Sequence, residues 1–256
     1  MTDPDFSNVL ITGASHRIGR AIALDLAEHG FGVAVHYFKS QEAAENLVAM
    51  IRDGGGRATS IKADLANEDE VLNIIPTVSK KIGPLTLLVN NASQFENDTI
   101  ESATRESWDQ HMDVNLRTPF VLSQIFADQV PEGLEGNIVN ILDQRVWNLT
   151  PFFMTYTLSK TALWTLTQTL AMALAPNIRV NGIGPGPTIK GERQSEDDFV
   201  RQWTEIPLRR RVMPEEITDA VRYILHAPSM TGQMIALDGG QHLGWGQKSN
   251  LAPSIE

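Results

Sequence analysis

The chain has 256 residues, a formal net charge of −10 and no cysteine. That length admits one or two domains with a sizeable core, while the acidic balance argues against nucleic acid or an anionic membrane surface as the main partner. Without cysteine there are no disulfides, thiolate metal sites or cysteine nucleophiles, and no run approaches the ~18 apolar residues of a membrane span.

The N-terminal Met1-Thr2-Asp3-Pro4-Asp5 lacks the basic-then-apolar pattern of a signal peptide, so a soluble cytoplasmic protein is expected. Short apolar runs then alternate with longer segments of helical period. Val9–Ile11 reads as a first strand, followed by a helix over 17–30; Val33–Val35 and a helix over 40–53 come next. Thr59–Ile61 precedes a helix over 67–82, Leu85–Val89 a helix over 104–129, and Ile138–Leu142 a helix over 154–175. Ile178–Val180, a helix over 214–227 and a seventh strand at Met234–Leu237 complete the series. Near-continuous apolar strands alternating with helices predict a doubly wound α/β fold, a seven-stranded parallel sheet covered on both faces, in a single domain over 1–256. In such folds ligands bind outside the C-terminal ends of the strands. Residues 185–205 break the alternation, opening on Pro185, Gly186, Pro187 and Gly191 and turning acidic at Glu196-Asp197-Asp198. Their place after the sixth strand predicts a substrate loop, a surface insertion being the plainer reading.

The first strand runs into Thr12-Gly13-Ala14-Ser15-His16-Arg17-Ile18-Gly19 and then a helix. Glycines there permit a tight turn and close approach of phosphate oxygens to helix-start N–H groups. The second strand ends in His36-Tyr37-Phe38-Lys39-Ser40, with no acid before Glu42. An NAD enzyme places an acid near that point for the ribose 2′-hydroxyl. Arg17, His36, Lys39 and Ser40 instead offer donors and positive charge, which suits the 2′-phosphate of NADPH. Asp64, with Leu65 after the third strand, has two readings: acceptor for an adenine amino group, or N-cap of the helix beginning near Asn67.

Tyr156 and Lys160 lie four residues apart, on one helical face. A lysine cation beside a phenol stabilises the phenolate and makes tyrosine a usable acid–base group. Asp143, 13 residues earlier, adds a carboxyl group. Between them Trp147, Phe152, Phe153 and Met154 have two readings, pocket lining or core cover, and each singly reads as the second; His111 reads as a helix-surface residue. No set of His, Asp and Glu has metal-ligand spacing.

Thr12-Gly13…Gly19, Asn90-Asn91-Ala92, Asn115, Tyr156…Lys160 and Pro185-Gly186 together resemble the short-chain dehydrogenase/reductase family, in order and over nearly the whole chain. The resemblance implies one Rossmann domain, a nicotinamide cofactor and hydride transfer. It makes Tyr156 the proton donor and Lys160 the residue that binds the nicotinamide ribose and tunes the tyrosine. It gives Asn115 the support of a proton-relay water through a helix irregularity. It sets Asn91 and Ala92 beside the cofactor, and Pro185, Gly186 and Thr188 beside the nicotinamide. Two departures stand out: Arg17 replaces a small residue of the glycine motif, and Asp143 stands where the family usually has its catalytic serine. Both, with His36-Tyr37-x-x-Ser40 and Ser93-x-Phe95, are similar to the pteridine reductase branch, including its dihydromonapterin reductase-like members. That likeness implies a pterin held between the nicotinamide and Phe95, with Ser93, Asp143 and Tyr156 at the substrate. It also implies a homotetramer or dimer. The competing expectations are a ketone or 3-oxoacyl thioester reductase and a non-catalytic NADPH-binding regulator.

Overall fold

A computed structural model describes residues 7–191 and 194–244; the N-terminal pentapeptide, Trp245 and two positions of the expected substrate loop, 192 and 193, lie outside them. Seven strands form one sheet: β1 (Asn8–Ile11), β2 (Gly32–Tyr37), β3 (Ala58–Lys62), β4 (Leu87–Asn90), β5 (Gly136–Ile141), β6 (Ile178–Pro185) and β7 (Met234–Leu237). Their order is β3-β2-β1-β4-β5-β6-β7, and every pairing is parallel. This is the expected doubly wound Rossmann-like sheet.

Alternation along each strand divides two apolar layers. Val9, Ile11, Val33, Val35, Leu87 and Val89 face one core, which α1 (Arg17–Glu28), α2 (Gln41–Asp53) and α8 (Pro214–His226) close with Ile22, Leu26, Leu47, Ile217 and Val221. Leu10, Ala34, Leu88, Ile138 and Val180 face the other, closed by α3 (Glu68–Ile82), α5 (Thr118–Gln129) and α6 (Met154–Leu174) through Ile74, Val78, Val121, Phe126 and Ala171. The central strands are fully buried on both faces, which explains why their sequence is apolar throughout rather than alternating.

The passage expected as one helix over 104–129 is helical throughout but not uniform. α4 (Arg105–Met112) passes into a π-helical segment, Asp113–Arg117, before α5. Pro119 stands two residues past the end of that segment. In an α-helix the N–H of residue 119 would bond the carbonyl of Asn115; proline has none, so the regular ladder fails at Asn115.

The second difference lies after β6. Glu196–Thr204 form a helix, α7, with Ser195 as N-cap and Glu196, Asp197 and Asp198 in its first turn. Three acids at a helix start meet the positive end of the dipole, so the acidic run is a helix-start signal rather than part of an irregular loop. Among the described residues no helix is long and apolar enough to cross a membrane, and no cluster of His, Asp and Glu has metal-ligand geometry.

Candidate active site

With all strands parallel, their C-terminal ends share one edge, and the chain reverses its direction of winding between β1 and β4. The crevice at such a switch point is where doubly wound folds take ligands.

The glycine turn after β1 sits in this crevice. Gly13 has φ +61°, a left-handed conformation that suits glycine. A Cβ at Gly19 would lie 2.6 Å from the Gly13 carbonyl oxygen and 2.5 Å from Asn91 Nδ2, so this position also excludes a side chain. Asn91 braces the turn: its Nδ2 donates to the carbonyls of Thr12 (2.8 Å) and Gly13 (3.2 Å), while the Thr12 hydroxyl accepts from the N–H groups of Asn91 and Ala92, both at 2.9 Å. His16, the N-cap of α1, makes no side-chain capping bond. His16 thus leaves the first-turn N–H groups of Ile18 and Gly19 without an N-cap side-chain acceptor, and such helix-start donors are what an anionic phosphate needs.

Arg17 is exposed, and its φ is +54°: it keeps the backbone of a glycine while carrying a cation. Its guanidinium donates to the carbonyls of Ile189 and Lys190, each at 2.7 Å, and so bridges the glycine turn to the segment after β6. In that segment Thr188 Oγ1 donates to the Gly186 carbonyl at 2.9 Å. A Cβ on Gly186 would come within 2.7 Å of the Asp238 Cα, so Pro185-Gly186 is a turn that glycine alone allows.

At the end of β2 the structure corrects one expectation. His36 is buried; its Nδ1 accepts from the Gly13 N–H at 3.0 Å and its Nε2 faces the Ala63 carbonyl at 3.1 Å. Burial lowers its pKa to about 4. His36 is therefore a neutral brace for the glycine turn and cannot supply positive charge to a 2′-phosphate. Tyr37 is also buried. Lys39 is exposed, 5.2 Å above the Phe38 ring, and Ser40 is the N-cap of α2 without a side-chain capping bond. Of the donors expected at a 2′-phosphate, these two and Arg17 remain once His36 is set aside. Asp64 is not the N-cap of α3; Asn67 is, accepting from the Asp69 N–H. Asp64 Oδ1 instead takes the Ala66 N–H at 3.0 Å, and the buried Leu65 offers its carbonyl to Thr118 Oγ1.

At the other end Tyr156 Oη donates to Asp143 Oδ2 at 2.8 Å, and Tyr156 is almost wholly buried. Asp143 Oδ1 takes the Arg145 N–H at 2.7 Å, as N-cap of a short 3-10 turn over Gln144–Val146. Lys160 is buried, its Nζ donating to the Ile141 carbonyl at 2.8 Å. Burial lowers its pKa to about 8, partly offset by the charge of Asp143. Asn115 has all its side-chain polar atoms engaged. Its Nδ2 donates to the Gln94 carbonyl (2.9 Å) and Ser159 Oγ (3.0 Å), and its Oδ1 accepts from the Gln94 N–H (2.8 Å) and Ser93 Oγ (3.2 Å). The amide thus pins the Ser93–Phe95 segment against α6.

Phe95 stacks on Phe153, centroids 4.6 Å apart and planes 3° from parallel, and meets Tyr156 edge-on at 4.6 Å. Asp143, Tyr156, Lys160, Asn115, Ser93 and Phe95 therefore form one connected cluster. Three of its neighbours escaped the sequence reading. Phe153 is a ring of the site, held at φ +55° as N-cap of α6. Arg145, two residues from Asp143, lies 3.3 Å from Asp143 Oδ2. His111 is fully buried rather than on the surface: its Nδ1 meets Thr155 Oγ1 at 2.7 Å, and its Nε2 accepts from the Glu96 N–H at 3.1 Å. Asp98 joins that network by accepting from the Thr155 N–H at 3.0 Å and from Ser107 Oγ at 3.0 Å. No periodic pattern marks these three; only the proximity of Arg145 to Asp143 in sequence was a signal.

A family model described as Enoyl-(Acyl carrier protein) reductase matches residues 13–242. The 3-oxoacyl-[acyl-carrier-protein] reductase FabG of Staphylococcus aureus is 33% identical over 241 residues, covering 92% of this chain and 98% of that protein. Among solved structures, FolM alternative dihydrofolate reductase 1 from Brucella suis, in complex with NADP, is 48% identical with a TM-score of 0.93, covering 98% of this chain and 100% of the other. Its counterpart from Brucella canis, complexed with NADP, is 47% identical with a TM-score of 0.90, covering 97% and 99%.

Proposed function

Because the chain belongs to the short-chain dehydrogenase/reductase family, we propose that it is an NADPH-dependent reductase of pterin-type substrates, of the dihydropteridine, dihydromonapterin or dihydrofolate class. The observation that carries this reading is the 2.8 Å contact between Tyr156 Oη and Asp143 Oδ2: a carboxylate meets the proton-donating phenol where a ketone reductase places a serine. The Brucella FolM proteins, at 47–48% identity with NADP bound, support both the cofactor and the substrate class.

The residues present suit the cofactor. The uncapped start of α1 and the Gly13–Gly19 turn would hold the pyrophosphate, Arg17, Lys39 and Ser40 the 2′-phosphate, and Asp64 with Leu65 the adenine side. Ala92, Ser93, Tyr156, Lys160, Pro185, Gly186 and Thr188 would border the nicotinamide ribose and ring. When bound, the cofactor supplies hydride to the carbon of a C=N bond. Tyr156 gives its hydroxyl proton to the nitrogen. Lys160 holds the ribose and favours the phenolate that remains. Asp143 orients the phenol and accepts from ring N–H groups of the substrate. Phe95, stacked on Phe153 and met edge-on by Tyr156, supplies the aromatic surface against which a flat substrate ring would pack. The broken ladder at Asn115 leaves its carbonyl to a relay water, and Thr188 and the α7 helix (Glu196–Thr204) border the substrate. The protein acts as a homo-oligomer in the cytoplasm.

The second reading, a 3-oxoacyl thioester reductase, is favoured by the FabG relatives. Asp143 opposes it, because a carboxylate repels an oxyanion developing on a ketone oxygen. A regulator that binds NADPH without turnover has no use for the buried Tyr156–Lys160 arrangement. The test is NADPH oxidation with dihydromonapterin, dihydrobiopterin, dihydrofolate and an acetoacetyl thioester side by side. Preference for the thioester refutes the pterin reading, and full dihydropterin turnover by Asp143→Ser refutes the role given to Asp143.

A further inference from the structure

The Asp143 carboxylate pairs with one cation and reaches a second through Tyr156, whose hydroxyl it holds at 2.8 Å and whose ring lies 5.9 Å from Lys160 Nζ. Arg145 Nη1 lies 3.3 Å from Asp143 Oδ2, and the charge of Asp143 also acts on the buried ammonium of Lys160. The two cations are held differently. The Arg145 guanidinium lies over the Phe153 ring at 4.9 Å and over the Phe95 ring at 5.5 Å. Its backbone is fixed in the 3-10 turn that Asp143 caps, and its side chain is only 9% exposed. A planar, delocalised cation seated on aromatic faces is a stiff counter-ion. Lys160 is a point charge on a flexible stem, and it donates to the Ile141 carbonyl rather than to the carboxylate.

A carboxylate only 14% exposed is costly to leave without a counter-ion, so on losing one cation it is drawn to another in range. For Asp143 that is Lys160, which already feels its charge. We propose that Arg145 is a positioning residue which holds the Asp143 carboxylate on its own side of the site and so leaves the Lys160 ammonium aimed at the cofactor ribose. The same guanidinium fixes the Phe95–Phe153 stack, so one side chain sets the cofactor lysine, the substrate carboxylate and the stacking ring together. This inference rests on the ribose role given to Lys160 above, and not on the identity of the substrate.

The test is NADPH affinity by fluorescence titration of the full chain, a readout that needs no turnover. Arg145→Met should weaken NADPH about tenfold, the loss of one charge-assisted contact from Lys160. Arg145→Lys, which keeps the charge, should stay within about threefold of wild type. The decisive variant is Asp143→Asn/Arg145→Met. With the anion gone Lys160 is released, so affinity should return to within about twofold of Asp143→Asn alone, a non-additivity expected of coupled charges. Unchanged affinity in Arg145→Met overturns the proposal, and so does a double variant as weak as that single one, because the loss would then come from packing over the rings. Should Arg145→Met fail to fold, the double variant is expected to fold, since it leaves no uncompensated anion; failure of both overturns the proposal. Lys160→Met with wild-type NADPH affinity would refute the ribose role itself. Normal NADPH behaviour without pterin turnover would refute only the substrate reading.

Discussion

Lys160→Met should make the unliganded protein more stable while removing its activity. Lys160 is buried and its pKa falls from 10.5 to about 8, so the folded state holds the charged form at a cost. A displacement of that size corresponds to about 3 kcal/mol at neutral pH. The sign follows from proton counts. Between pH 8 and 10.5 the unfolded chain binds more protons at this lysine than the folded one, so stability rises with pH across that window. Below pH 8 both states carry the proton and the full cost is present. Methionine has a similar length and no charge, so it removes the cost and forfeits the single bond to the Ile141 carbonyl, itself worth about 1 kcal/mol. A net gain of about 2 kcal/mol is therefore expected at pH 7, falling by about 1 kcal/mol at pH 9 as wild-type Lys160 sheds its proton. Urea unfolding of both proteins without cofactor, at pH 7 and pH 9, gives both numbers. A variant less stable than wild type at pH 7, or a difference that does not change with pH, refutes the argument that burial of this charge dominates.

His36 gives the opposite limb. Its folded pKa of about 4 lies below the ordinary 6.5, so wild-type stability should fall by about 2 kcal/mol between pH 7 and pH 5 on its account; His36→Gln should flatten that limb in urea unfolding. Phe153→Ala should cost about 3 kcal/mol by emptying a buried ring site. Phe153→Gly should be no worse, because φ +55° favours glycine by about 1 kcal/mol; a glycine variant clearly weaker than alanine in urea would refute the strain. Arg17→Gly should leave the unfolding midpoint within error for the same backbone reason. It should weaken NADPH about tenfold through the lost guanidinium, and an unchanged fluorescence titration would remove Arg17 from the cofactor site.

The seven strands and the helices flanking them were legible because burial on both faces leaves a strand no polar position, as in Val9-Leu10-Ile11 and Val33-Ala34-Val35. α7 was misread because Pro185 to Gly191 set the expectation of a loop, and the run 196–198 reads as its continuation. Ser195 ahead of three acids was in fact a start signal. The π-helical turn could have been suspected from Pro119, a helix-interior proline four residues after Asn115. Tyr156, Lys160 and Asp143 were visible because their spacing is local. Arg145, Phe153 and His111 were not, since each gains its place from a segment distant in sequence: the Ser93–Phe95 stretch, α4 or the start of α6. His36 shows the limit of reading charge from residue type. A histidine at a strand end offers a cation only if water reaches it, and this one is sealed between the Gly13 N–H and the Ala63 carbonyl.

That sealed ring separates two kinds of evolutionary freedom. Position 36 is welded into the sheet, and changing it disturbs the turn whatever the cofactor. Lys39 and Ser40 stand just beyond the strand, where a new side chain leaves β2 intact. Under the proposed reading, the choice between a phosphorylated and an unphosphorylated dinucleotide is thereby detached from foldability. An engineer seeking an NADH-using form would place an acid at 39 or 40 and leave the histidine alone.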